Sequence, residues 1–425
     1  MVSHTLTHQS PQSIIHILDF HHLCAEKQMS DIPSDLHHEI LRRLPADSLL
    51  RFRAVCKWWR RLIDEPSFVR THAANQTSST TLLIRNSTAT RFYSLTLDSL
   101  NFDDAHQVID VMPVKALFRV GLPRSPVLPV ACCNGLILHS QYENEKTWVI
   151  WNTLTREFHE LPQFNTEFDD AYSSFRGGGI GYDSASDDYK VVRIDSLDYD
   201  SDSRTVYQTS FYSLKMDSWT MTKDCPYDFS WMRQLTGVFL DGALHWILRN
   251  MIVAVVLETE DYRELPLPAN SEELSGVHLD VLDGCLVVSC FYPMDRLDGW
   301  VMKDCGVEKS WVKLFSFREV GDIVGVMWCL RPIAYIKSKG HVFLQHGDAF
   351  FRLDVESNSL KKVIVRGLPR KFSSQIMVES LLRLDQSCAV TVKNRAGMKR
   401  KRNTADARVK HSVSIVDVCS SEGDD

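Results

Sequence analysis

No apolar run in this chain of 425 residues approaches the roughly 20 residues that cross a bilayer. The best apolar stretch near the start, Ile14 to Phe20, is broken by His16 and Asp19 and has no basic flank, which argues against a secretory signal. The 11 cysteines include no C-x-x-C pair. Scattered thiols of this kind suit a reducing compartment, cytoplasm or nucleus, where most act as small buried apolar groups.

Catalytic signatures are missing as well. The Gly-rich run Arg176–Gly181 has Tyr182 where a G-x-G-x-x-G motif needs its last glycine, and it lacks the lysine of a P-loop. It reads as a loop before KVVRI. Asp198, Asp200 and Asp202 alternate as in a calcium loop, but no Gly stands at the sixth position, and Thr209 stands where Glu would close it. His21, His22 and Cys24 have no second ligand pair at zinc-site spacing. His245-Trp246 lies on an apolar strand and reads as packing. No Ser, His and Asp set shows nucleophile spacing. These absences point to a chain without metal, cofactor or catalytic residues.

Charge is unevenly laid out under the net −6. Residues 77–392 hold 31 Lys+Arg against 41 Asp+Glu. An acidic main body argues against broad binding to phosphate backbones. Residues 31–76 hold 8 basic against 6 acidic side chains, and residues 393–410 hold 8 basic against Asp406 alone. Lys399, Arg400, Lys401 and Arg402 have the composition of a nuclear-import signal, or of an idle charged tail.

Organisation follows from periodicity. Residues 1–28 read as a disordered leader and 393–425 as a disordered tail. Between 29 and 76 the pattern is helical. Leu36, Ile40, Leu41 and Leu44 form one stripe that Ser34 or Asp35 can cap and Pro45 ends. Asp47 or Ser48 can cap a second helix with Leu49, Leu50 and Phe52. A third holds Cys56, Trp59, Leu62 and Ile63, with Pro66 as its stop. A module of about 45 residues is marginal alone. Trp58 beside Trp59 is the oddity, since neighbours on a helix diverge by about 100°. Trp58 is placed facing outward or onto the following domain. The basic run Arg51, Arg53, Lys57, Arg60 and Arg61 has the outline of a helix-turn-helix, but a solvated face or one complementary to an acidic partner explains it better.

From 77 to 392 a turn-then-strand unit recurs. Asn134-Gly135, Asp241-Gly242, Asp283-Gly284 and Gly340 each lead into an apolar strand, read as the inner one, followed by a polar turn and an aromatic-bearing outer strand. Aligning Ser94, Trp151, Ser213, Glu258, Lys303 and Leu353 gives a period near 45–60 residues. Such a repeat buries both sheet faces by radial stacking. The expected class is therefore α+β and multidomain: a small all-α module, then an all-β propeller of about six blades. A pair of packed sheets is the alternative.

The helical stretch SDIPSDLHHEILRRLPADSLLRFRAVCKWWRRLIDEPSFVRTH resembles an F-box. It departs at Ile32, for the usual Leu, and at Trp58, where the family has a small polar residue. The pieces CCNGLILH, VIWNTLTREFHELP, GIGYDSASDDYKVVRI, FYSLKMDSW, GVFLDGALHWI, LPLP and GVEKSWVKLF resemble, in order, the kelch-like F-box-associated domain of plant proteins. The resemblance implies a non-catalytic substrate receptor of an SCF-type cullin–RING ubiquitin ligase. Its F-box would dock a Skp-family adaptor, and through it cullin and RING subunits. The implied adaptor face is Ile32, Pro33, Leu36, Ile40, Leu41, Leu44, Pro45, Leu49, Leu50, Val55, Cys56, Trp59, Leu62 and Ile63. The β domain would hold an unknown target, and the aromatics Tyr199, Tyr227, Phe229 and Trp231 are the candidates for that contact. The alternatives are an adaptor-bound scaffold without a role in degradation, and a propeller enzyme.

Overall fold

The computed structural model describes residues 34–75, 81–86, 91–97, 108–114, 131–140, 148–164, 173–198, 205–231, 234–268, 274–292, 296–318, 330–336 and 340–384. The expectations for the leader, Ile32, Pro33, Tyr199 and the tail with Lys399, Arg400, Lys401 and Arg402 lie outside these residues.

Among the described residues, four α-helices form where three are expected: α1 (Ser34–Arg42), α2 (Ala46–Phe52), α3 (Lys57–Ile63) and α4 (Pro66–Asn75). Pro45 sits at the N-cap of α2 and no side chain caps it. Asp47 instead lies in the first turn, where its negative charge complements the positive end of the helix dipole and meets Arg51 Nη2 at 3.0 Å. Cys56 caps α3, its Sγ accepting the Trp59 N–H at 3.4 Å. Pro66 follows the end of α3 and also opens α4, because a proline in the first turn lacks only an N–H that has no helical partner. The module closes on Leu41, Ala46, Leu49, Ile63, Phe68 and Val69. His72 is fully buried, and its Nε2 donates to the Leu44 carbonyl at 2.8 Å, tying α4 to the end of α1.

Among the described residues, the strands that follow make six sheets, antiparallel but for one added strand. Their first strands are Ala131–Cys133, Ser173–Asp183, Val238–Leu240, Gly276–Leu282, Arg331–Ile336 and Phe372–Met377. Each touches the next, and the last touches the first, so they ring an axis. This is a six-bladed β-propeller, and the ring order numbers its blades. Blade 6 closes the circle. Its inner strand Phe372–Met377 comes from the C-terminal end and pairs with Thr81–Asn86, with Ile84 opposite Ser374. The stretch 108–114 ties the rim nearby. Val108–Asp110 adds a parallel strand to blade 5, and Met112–Val114 pairs with Phe92–Thr96 of blade 6.

The six aligned markers fall one per blade, in or just after the third strand. The Asx-Gly pairs are tight hairpin turns: Asn134, Asp241 and Asp283 have φ of 47°, 47° and 53°, and the glycines after them are also positive. The apolar strand after each pair is not the inner one, contrary to expectation. It is second from the axis, where neighbouring blades cover both faces, as with Ala243–Leu248, buried at every position. His245 and Trp246 lie on that strand, as packing requires. The run Arg176–Gly181 is not a loop either. It belongs to the inner strand of blade 2, which pairs with Asp188–Asp198. A Cβ on Gly178 would stand 2.5 Å from Trp148 Cη2, so that position admits no side chain without a shift.

A cavity of about 880 Å³ follows the axis, lined by residues that include His278, Asp280, Arg331 and Gln375. Arg331 stitches three blades there. Its Nε donates to Asp280 at 2.7 Å, Nη1 to the Ser374 carbonyl at 2.8 Å and Nη2 to Gln375 at 3.0 Å.

Candidate docking face

Strand order gives the propeller two faces. One carries the turns joining first to second and third to fourth strands. The other carries the remaining connections. The helical module packs on the first. Leu381 joins its core, with Leu154 and Leu382 alongside. Arg70 Nη1 meets Asp187, in the first turn of blade 2, at 3.0 Å. Asn152 is the local anchor: its Nδ2 donates to the carbonyls of Ser380 and Leu382 at 2.9 and 2.8 Å, and its Oδ1 accepts from Leu154 N–H. Arg383 meets Glu157 at 2.6 Å and is held charged above its ordinary range by that bond. Glu379, beside this seam, has its carboxyl raised by burial and then by Asp47.

The apolar stripe of the module splits in two. Leu41, Leu49 and Ile63 are fully inside, and this corrects their assignment to the adaptor face: as folded, they have no surface to offer a partner. Leu50 and Ile63 line the seam with the propeller, together with Arg53, Asp64, Thr155 and Leu381. Leu44, Val55, Cys56, Trp59 and Leu62 are half-buried, and Pro45 is exposed. Leu36 and Ile40, one helical turn apart, are 53% and 52% exposed. Trp58 is 41% exposed.

The paired tryptophans take different sides of one buried histidine. His37 Nδ1 accepts the Trp59 indole N–H at 3.3 Å. The Trp58 ring meets His37 edge-on at 4.9 Å. Trp59 faces inward, also against Phe52. Around Trp58, Lys57 and Arg61 are exposed, whereas Arg53 is held by two bonds to Asp64, Arg60 meets the same carboxylate at 3.8 Å, and Arg51 is held by Asp47.

The aromatics suggested for the opposite face separate as well. Phe229 is only 1% exposed and fills the core between blades 2 and 3, which corrects its reading as a contact residue. Tyr227 is half-buried, donating to Glu264 at 2.9 Å and tilted against Tyr262. Trp231 ends a short 3-10 turn, and its side chain is outside the described residues. All three lie on the connection from blade 2 to blade 3, on the face away from the helical module. Among the described residues, no group of three or more His, Cys, Asp or Glu gathers as for a metal, and no helix is long and apolar enough to cross a membrane.

His37, Asn152 and Leu381 are site residues that sequence reasoning misses. Asn152 carries no local signal of its role, because the carbonyls that it holds are 228 and 230 residues away.

Comparison with known proteins agrees with this geometry. Residues 29–71 match a family described as F-box domain, and residues 84–362 match one described as F-box associated beta propeller domain. F-box protein CPR1 of Arabidopsis thaliana is 31% identical over 385 residues, covering 83% of this chain and 89% of that protein. F-box/kelch-repeat protein At3g23880 of the same plant is 28% identical over 313 residues, covering 70% and 82%. With the family domains matched on the helical module and on the six-bladed ring behind it, the chain belongs to the F-box proteins that carry an F-box-associated β-propeller.

Proposed function

We propose that this chain is the substrate-recognition subunit of an SCF-type ubiquitin ligase. The F-box docks a Skp-family adaptor, and the propeller holds the protein to be ubiquitinated. The observation that carries the reading is Leu36 and Ile40, both more than half exposed on α1 of a matched F-box and outside the seam with the propeller. Two large apolar side chains left in water on so small a module are supported by a partner that covers them. Leu44, Pro45, Val55, Cys56, Trp59 and Leu62, half-buried or exposed on the same module, are the rest of the face assigned to the adaptor. Cullin and RING subunits join through the adaptor. The chain itself makes and breaks no bond. It raises the effective concentration of a target lysine near charged ubiquitin. The target sits on the face opposite the F-box, so both partners fit at once. The complex works in cytoplasm or nucleus, with Lys399, Arg400, Lys401 and Arg402 as the import signal.

The test is co-expression of the full chain with a Skp-family adaptor, followed by size-exclusion chromatography. Wild type co-elutes with the adaptor. Ile40→Asp elutes alone with an unchanged β circular dichroism spectrum, because a carboxylate at a desolvated apolar contact costs several kcal/mol, roughly 3 or more. Wild type eluting alone overturns the reading. A bound target whose half-life is unchanged on depletion of this chain assigns it to the scaffold role instead.

A further inference from the structure

We infer that Trp58 is an energetic anchor of the F-box toward its adaptor, inserting its indole into an apolar slot rimmed by carboxylates. The inference rests on the docking reading above and deepens it.

Four observations place Trp58 there. It is among the few large apolar side chains of the described residues that stand more than two-fifths exposed. Its ring meets the buried His37 of α1 edge-on at 4.9 Å, so Trp58 packs beside the helix that carries the exposed Leu36 and Ile40. The side of α3 turned to the propeller carries Ile63 and Asp64, which line the seam cavity. Trp58 lies about 120–140° around the helix from both, so it points away from the propeller. Finally, the exposed cations Lys57 and Arg61 lie within about 100° of it around α3, whereas Arg60 turns to the other side and pairs with Asp64. A partner surface complementary to this patch is apolar at its centre and acidic at its rim.

Trp59 cannot take this role, since its indole N–H is committed to His37 and its ring is packed against Phe52. The two tryptophans therefore divide the work: one completes the module, the other is left for the partner. A large rigid ring in a desolvated pocket is the side chain that most often dominates such contacts. The cations add on-rate and register.

The test uses the full chain and a purified Skp-family adaptor, with affinity measured by biolayer interferometry. The variants are Trp58→Ser, Trp58→Phe and Ile40→Asp. Trp58→Ser is expected to weaken the adaptor at least tenfold, about 1.4 kcal/mol, at an unchanged melting temperature. Trp58→Phe recovers part of the loss. Raising salt weakens wild type through a slower on-rate. If Ile40→Asp abolishes binding while Trp58→Ser binds as wild type, docking stands and the anchor role is overturned. If Ile40→Asp also binds as wild type, the docking reading fails and takes the anchor with it. If Trp58→Ser lowers the melting temperature by several degrees, Trp58 is packing for the module and the inference is wrong.

Discussion

At Gly178 a single hydrogen in place of a methyl group decides whether two blades can meet. A Cβ there would lie 2.5 Å from Trp148 Cη2 and 2.8 Å from the Val192 carbonyl oxygen. Trp148 cannot swing aside, since Phe175 and Trp219 meet its edges and the Arg193 guanidinium lies 5.6 Å from its ring centre. Arg193 is itself buried and held by two bonds to Asp195. Gly178→Ala is therefore expected to cost about 2 kcal/mol through overpacking. Gly242→Ala is the control. Its Cβ would meet nothing within 4 Å, but its φ of +74° costs an alanine about 1 kcal/mol. Denaturant midpoints compare the two. If Gly178→Ala is the milder change, the blade contact is softer than this geometry says.

At the scale of the element, the propeller is a closed circuit whose sheets meet edge-on around a polar axis. Arg331 joins blades 4, 5 and 6 across that axis, next to the junction that blade 6 closes. Arg331→Met leaves the Asp280 carboxylate without its closest cation. It is expected to cost about 3 kcal/mol, of which Arg331→Met with Asp280→Asn recovers a large part. Thermal unfolding of the two variants measures this, and additive losses would mean that the pair is not coupled. The repeat itself was legible in the chain because turn chemistry is local. Asn134-Gly135, Asp241-Gly242 and Asp283-Gly284 can hardly be anything but hairpin turns, and the six markers fall one to a blade. Strand position was not legible. Burial on both faces makes Ala243–Leu248 look innermost, whereas the inner strand of its blade is Val238–Leu240, and the inner strand of the next blade, Gly276–Leu282, brings His278 and Asp280 to the axial cavity. The Gly-rich run failed for the same reason: its glycines answer to Trp148, Leu244 and Leu257, which no local pattern reveals. In the F-box, the stripe was readable but not its division. Leu36 and Leu41 look alike in sequence, and only the fold leaves the first in water and the second at 0% exposure.

For the whole molecule, folding buries neutral histidines in both domains, and this sets its response to acid. His139, at 1% exposure, is pushed down to about 3 by burial and then by Arg85. His245, at 2%, is pushed down to about 4, chiefly by burial. His72 is lowered for the same reason inside the F-box. Each returns to about 6.5 in the unfolded chain. The unfolded state therefore binds more protons below pH 6.5, and stability falls as pH falls. The contribution is fully present above about 6.5 and is lost progressively toward 4. By pH 5, His139 and His245 should each have given up about 2 kcal/mol. Asp195 and Glu379, whose carboxyls are raised by burial, oppose this trend at lower pH. The melting temperature should drop steeply between pH 6.5 and 5, and His245→Gln should flatten that slope while lowering the plateau near neutrality. A melting temperature that holds constant down to pH 5 would mean that these rings are hydrated in solution, and that the blades breathe enough to let a proton in.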